Sequence, residues 1–452
     1  MRVHVIGAGP TGMSVAWEIL RSTDHQVTIY DRKESAGGSW WEPSGGKRDL
    51  HAHRIVFDNA FVNTNSLFEE MGIEWDDMFQ PADTRVYTTT FKYLKFKDYL
   101  TLASLAVRVL AQPAKYKRIS LKDALGELSE SGEKLLKALP LIMDGVVWQT
   151  MSAFEFVKSF DNVGLSKQYV QKVSGKVMSD KMQKALVDKG VKFMFGSEVD
   201  KIHYEKDGYE ASFTNKTKIK DGLLVLCIDN SKALQLVGEN WGKDTLKKIG
   251  PSTYGCINIL LDYDEPIRLP KTDLEYTMET EFNLQPVVLS DEKTVSCVIC
   301  NLNEKVLSTD PETLKTEVIK QLCVPKPASI RIGWGSYWKD GKWSFEQSSG
   351  VLSLYGQVPF YGESSKVALC GMMSERKTPY SSIEAAIEVG RSFCHETFET
   401  RRPLQPVLIT HVLFILIVLF LIIIYTRKEL SLIHISEPTR PRLISYAVFC
   451  LK

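Results

Sequence analysis

Charge of neither sign prevails in this 452-residue chain: 56 Lys and Arg stand against 55 Asp and Glu, a net +1. A protein that grips nucleic acid carries a clear basic excess, so that class is excluded and no nucleic-acid partner is expected. Cysteine is sparse, eight residues scattered without pattern, which excludes a disulfide scaffold. Repeats with a period of ~20–50 residues are missing, and with them solenoids and propellers. No secretory signal is visible, because Val3, Val5 and Ile6 lead straight into a glycine turn. Long hydrophobic runs are absent too, with one exception near the C-terminus. What remains is 25% charged and 44% hydrophobic, the composition of an ordinary globular chain with room for two or three domains of ~100–200 residues.

The exception is Val407–Tyr425, VLITHVLFILIVLFLIIIY, which carries no charge. As a helix it would span roughly 28 Å, close to the ~30 Å hydrocarbon core of a bilayer. A buried core helix is the bland alternative, but such helices are usually shorter and seldom apolar on every face. Arg401 and Arg402 precede the run, and Arg427 and Lys428 follow it. Residues 407–426 are therefore expected to form a single C-terminal membrane helix, with the catalytic body cytosolic. Unpatterned thiols agree with a reducing compartment. Cys297 and Cys300 have CxxC spacing inside the strand-like TVSCVICNL. A strand sends those two sulfurs to opposite faces, so no metal or redox role is expected.

Residues 430–452 resemble a translated sequencing-library adapter. Leu430–Arg440 and Ile444–Lys452 carry the likeness, with Pro441–Leu443 where a variable index would fall. The natural chain is then expected to run to about Glu429, with the rest left out of fold reasoning.

The strongest motif lies at residues 2–32, which read as strand, glycine turn, helix and strand. Gly7, Gly9 and Gly12 form G-x-G-x-x-G around Ala8, Pro10 and Thr11. The first glycine allows the tight turn, the second lets backbone approach a pyrophosphate, and the third lets helix and strand pack closely. The helix N-terminus adds free N–H groups and a positive dipole end. Asp31 ends the second strand at the distance where a carboxylate accepts ribose hydroxyls. Arg32 beside it would suit a 2′-phosphate, but Asp31 would repel one.

From Asp31 onward the chain resembles the flavin-containing amine oxidoreductases, a group of amine oxidases, carotenoid desaturases and protoporphyrinogen oxidase. The segment DRKESAGG ends in Gly37 and Gly38, like the family's glycine pair over the FAD pyrophosphate. Ser39 stands where many members have Arg. The resemblance implies that His53, Arg54 and Ile55 lie near the isoalloxazine; read on their own, His51 and His53 are loop histidines. It places Val199, in GSEVDKI, at a strand touching adenine, and has Leu223–Asn230 re-enter the nucleotide domain.

A second matching segment is Ser365–Phe398. Gly371 matches the glycine before the ribityl contact, but Met372 and Met373 replace the usual acid, leaving backbone contact there. Ser382, Ile383 and Glu384 match the family's S-I-E element at a helix N-terminus. Amine oxidases proper carry an aromatic where Ser382 stands and a flavin-facing lysine where Asn258 stands. Both differences favour the desaturase-like branch.

Between these segments, residues 86–180 look mainly helical, with breaks at Pro113 and Pro140. Tyr93–Arg118 interleaves Lys and Arg with apolar residues. A membrane-surface helix would have this pattern, and an ordinary solvated face is the reading given more weight. Residues 250–365 look β-rich, with YGCINILLDY, TVSCVICNL, SIRIGWGSYW and GVLSLYGQV as strands. Gly333 and Gly335 give only GxG, so no second dinucleotide motif is present.

The expected fold is α/β: a Rossmann-type FAD-binding domain from residues 1–85, 186–245 and 364–400, with an inserted α+β substrate domain from 86–185 and 246–363, then the membrane helix. The resemblance implies an FAD-dependent oxidoreductase, membrane-anchored, that dehydrogenates or oxidises a lipophilic, isoprenoid-like molecule and passes electrons to oxygen or a quinone. A flavin amine oxidase and a non-catalytic FAD-binding scaffold are the alternatives. No catalytic residue is singled out.

Overall fold

The computed structural model of the chain describes all residues except 43–54, 83–89, 91, 206–207, 238–239, 243–252, 346–348, 351–356 and 437–452. Met1–Pro406 forms one compact unit, and the residues from Val407 onward another.

At the centre of the first unit is a five-stranded parallel sheet. Strand β1 (Arg2–Ile6) pairs with β2 (Gln26–Tyr30) on one side and with Leu223–Leu226 on the other. Lys192–Met194 extends the sheet beyond β2, and Val367–Leu369 extends it beyond Leu223–Leu226. The strands read as apolar runs because both faces are covered. Val3, Val5, Leu223 and Val225 enter one core layer, while Ile6, Leu224 and Leu226 enter the other. That is the period-two alternation of a strand divided between two cores.

Helix α1 (Pro10–Ser22) follows β1 directly. Pro10 occupies its first turn, where a missing N–H costs nothing. The helix packs against the helix Ile383–Phe398, and the contact is close because Gly390 has no side chain: a Cβ there would lie 3.0 Å from Ser14 Oγ. Helix α2 (Val62–Glu70) packs against the same partner.

An antiparallel sheet of four strands, ordered Leu284–Val288, Thr294–Ile299, Ile257–Asp262 and Ser329–Ile332, makes a separate core with the helix Pro311–Leu322. SIRIGWGSYW splits into two strands, Ser329–Ile332 and Ser336–Lys339. The helices Phe96–Ala111, Glu130–Asp144 and Ala153–Val163 make a third core.

Two local expectations are corrected here. Pro140 does not end its helix, which continues to Asp144, where Gly145 takes the left-handed cap. Its flanks Leu135, Leu136, Leu139 and Leu141 are buried, and tertiary packing holds the turn despite the lost backbone bond. Within the mainly helical stretch, Gln168–Gln171 is a strand, paired with Ile55–Phe57 and Phe79–Pro81.

The apolar run near the C-terminus is helical, Ile409–Ser436. Its side chains are described only through Tyr425, short of the ~20 residues a span needs. Among the described residues no helix is long and apolar enough to cross a membrane. Residues 437–452 of the adapter-like tail lie outside the described residues.

A candidate dinucleotide and flavin site

The glycine motif sits at the C-terminal ends of β1 and β2, where an open α/β sheet leaves a crevice. Gly7 has φ +111°, a conformation L side chains rarely adopt, and a Cβ there would collide with the Cys227 carbonyl. Gly12 is confined differently, since its Cβ would strike the Gly7 carbonyl. Gly9 caps α1 with no side-chain hydrogen bond to the helix's first N–H groups. The positive end of α1 is therefore left for an external anion.

Asp31 closes this turn from the side. Its Oδ2 accepts the Ala8 N–H at 2.6 Å, and its Oδ1 accepts the Lys33 N–H at 2.8 Å. Burial pushes its carboxyl above the ordinary range, opposed by those two N–H groups and by Arg32 and Lys33. Each oxygen still has a lone pair for a hydroxyl donor. Arg32 itself is exposed.

The second glycine pair lies directly on the first. The Gly37 N–H donates to the Ala8 carbonyl at 2.9 Å. A Cβ on Gly38 would come within 2.7 Å of Gly9 Cα, and one on Gly9 within 3.3 Å of Gly38 Cα. Two backbones thus meet with no side chain between them. Ser39 is half-buried in the short turn Gly38–Trp40. Trp41 follows, stacked edge-on against Trp334 at 5.0 Å, with Lys33 Nζ 4.1 Å from the Trp41 ring centre. Sequence reading did not single out this aromatic cover; the adjacent Trp40–Trp41 pair was its visible signal.

Val199 is buried beside Tyr30 and Phe213, in the core layer behind β2. Ile55 is half-buried in its strand opposite Val170. His51, His53 and Arg54 lie outside the described residues.

Gly371 leaves the strand Val367–Leu369 in a tight turn, donating its N–H to Ser374 Oγ at 3.2 Å. Met372 is half-buried and its carbonyl accepts from Arg376, whereas Met373 is a core residue beside Leu369. Ser382 caps the helix Ile383–Phe398, its Oγ accepting the Ala385 N–H at 3.1 Å. Ile383 points into the core.

Glu384 does something its motif position did not disclose. Its carboxylate caps α2, accepting the Asn63 and Thr64 N–H groups at 3.0 and 2.8 Å together with both of their side chains. Burial pushes Glu384 up to about 7, against the pull of these four bonds. Deeper between the helices, fully buried Arg391 donates to Glu18 at 2.9 Å and to Glu70 at 3.0 Å, and Arg401 binds the same two acids. Tyr380 stacks on Phe61 and donates to Asn162 Oδ1 at 2.5 Å. These groups hold the C-terminal signature against α1 and α2.

Asn258 is fully buried in the four-stranded sheet, donating to Ser296 Oγ at 3.0 Å. Cys297 is a free thiol in the strand Thr294–Ile299, and burial pushes it well up; Cys300 is half-buried just beyond the end of that strand. Among the described residues no group of three or more His, Cys, Asp or Glu is placed to hold a metal ion.

Residues 5–59 match the family NAD(P)-binding Rossmann-like domain. No curated protein matches the chain by sequence. Among solved structures, putrescine oxidase with bound putrescine is similar at TM-score 0.64 and 15% identity, covering 88% of this chain and 99% of that one. Cyclohexylamine oxidase from Brevibacterium oxydans IH-35A is similar at 0.60 and 15%, covering 88% and 98%. An oxidoreductase from Methanosarcina mazei is similar at 0.56 and 15%, covering 86% and 99%. The chain therefore has an α/β Rossmann-like fold, which these solved structures share.

Proposed function

We propose that this protein is an FAD-dependent oxidoreductase acting on a lipophilic substrate. The observation that carries the reading is the paired glycine cradle, Gly9 against Gly38, with Asp31 at its edge. Only backbone lines that contact, so a pyrophosphate can approach the N–H groups of α1 closely. The turn Gly7–Gly12 with Ala8, Pro10 and Thr11 would hold the phosphates, and Asp31 the adenosine ribose. Gly37, Gly38 and Ser39 would cover them. Val199, Ile55, the Gly371–Met372 backbone and the N-terminus at Ser382–Ile383 would complete the site. The flavin supplies hydride acceptance from an activated C–H or C–N bond. The chain's residues bind it, orient it and exclude water with Trp40 and Trp41.

Two features support a lipophilic rather than an amine substrate: Asn258 in place of lysine, engaged with Ser296, and Ser382 in place of an aromatic. The uncharged run Val407–Tyr425 supports membrane anchorage by a single C-terminal span. Oxygen or a quinone would take the electrons. Amine oxidation is the second reading, favoured by the putrescine and cyclohexylamine oxidases that share the fold. Anaerobic titration of the holoprotein separates them: bleaching of the flavin by isoprenoid lipids supports the first, and bleaching by simple amines the second. A flavin that neither class reduces would favour the non-catalytic scaffold.

A further inference from the structure

The helix Phe96–Ala111 is apolar on both sides, and only one side is covered. Asp98, Leu105 and Val109 face the helical core. At roughly 100° per residue, Phe96, Tyr99, Leu100, Ala103, Val107 and Leu110 fall in an arc of about 100° on the opposite side. All six are exposed, Phe96 by 78%, Leu100 by 56% and Val107 by 67%. This corrects the expectation of an ordinary solvated face, which would carry charge in that arc. A stripe of large apolar side chains turned to water marks a contact surface.

The surrounding charge says which contact. Lys92, Lys95, Lys97, Lys115, Lys117 and Arg118 are all exposed at the two ends of this helix. The sole acid between Lys92 and Arg118 is Asp98. It is buried, and its carboxylate is occupied by the N–H groups of Lys95 and Ser129 at 2.7 Å each. The next acids along the chain are Asp123 and Glu127. The arc itself holds no acid, while exposed Glu127, whose carbonyl accepts from Thr101, and Glu130 lie beside the helix off the arc. An apolar arc flanked at both ends by cations matches a bilayer surface with anionic headgroups: apolar side chains enter the acyl boundary while lysines meet phosphates.

We propose that Phe96–Ala111 is a membrane-docking helix that lays its Phe96–Leu110 arc on an anionic lipid surface. The inference goes beyond the proposed oxidoreductase activity and stands without it, because it needs neither flavin nor the C-terminal helix. It would bring the body down onto a bilayer at a second point besides any C-terminal anchor.

The test uses the full chain carrying Cys323→Ser and Val107→Cys, with a nitroxide on the new thiol. A second protein carries the label at Glu312→Cys, an exposed position on another helix. Both are reconstituted with vesicles of phosphatidylcholine alone or containing phosphatidylserine. At Val107 the label should become accessible to oxygen and shielded from a water-soluble nickel chelate, more so with phosphatidylserine, while the Glu312 label stays accessible to nickel. Charge reversal at Lys95, Lys97, Lys115 and Lys117 should undo the shielding at Val107. A Val107 label open to nickel on both vesicles overturns the proposal. So does shielding without vesicles accompanied by spin–spin broadening, which would make the face a contact between two copies.

Discussion

The Asp31 carboxylate accepts the Ala8 N–H at 2.6 Å, tying the end of β2 to the middle of the glycine turn. This contact fixes the acid where a ribose must pass if a pyrophosphate lies on α1. Asp31→Asn keeps the shape but removes the charge and turns an NH2 group toward one of two N–H donors. Hydrogen bonds to a charged group are worth ~1.5–3 kcal/mol. FAD affinity should therefore fall by about 10–100-fold, measured by flavin fluorescence titration of apoprotein. Unchanged affinity would remove Asp31 from the site.

Gly38→Ala probes the cradle. At φ +58° an L residue costs ~1–2 kcal/mol, and the new methyl would press on Gly9 Cα. The thermal midpoint of the apoprotein should fall modestly from this strain, and flavin retention should drop sharply beyond it. A lower midpoint with full retention would make the glycine contact purely structural.

Arg391 and Glu18 form a fully buried ion pair between the C-terminal signature helix and α1. Removing one partner leaves a buried charge with one counter-ion, Arg401 for Glu18 or Glu70 for Arg391, which should cost less than the about 3–5 kcal/mol of an unpaired one. Glu18→Gln and Arg391→Met should each lower unfolding free energy within that bound in denaturant titrations. The double variant should lose clearly less than their sum, because Arg401 and Glu70 still pair. Strict additivity would refute the coupling.

Glu384 gives a pH signature. Its folded carboxyl is pushed up to about 7, above the ordinary 4.5. Between those values the folded state holds more protons than the unfolded one. The stabilisation is present in full below about pH 4.5 and declines as pH rises through 7. Thermal midpoints across this window should slope downward for the parent protein from this group. Glu384→Gln should flatten that part of the slope, although it loses capping bonds to Asn63 and Thr64. Equal slopes in the two proteins would show that Glu384 does not titrate there.

The glycine turn, β1, α1 and Asp31 were legible in the sequence because their constraints are local. Gly12 answers to the Gly7 carbonyl five residues away, and Asp31 to one strand–turn–helix–strand unit; the clash that confines Gly7, with the Cys227 carbonyl, is distant and only its place in the motif was legible. The clamp behind them was not legible: Glu384 reaches Asn63 and Thr64, and Arg391 reaches Glu18, across more than three hundred residues. Pro140 misled because a helix-breaking residue survives where four leucines around it are buried. Phe96–Ala111 misled in another way. Its sequence shows apolar residues on two opposite sides, separated by Lys97, Thr101, Ser104 and Arg108, and only neighbours in space decide which side is left exposed.

The central claim is that the Gly9–Gly38 cradle holds FAD. The most direct measurement is the visible spectrum of the purified full chain, followed by chromatography of the nucleotide that heat releases. The account predicts the bands of oxidised flavin and near-stoichiometric FAD, both strongly reduced in Asp31→Asn. A colourless protein that takes up no added FAD, or one that releases a nicotinamide dinucleotide instead, would contradict it.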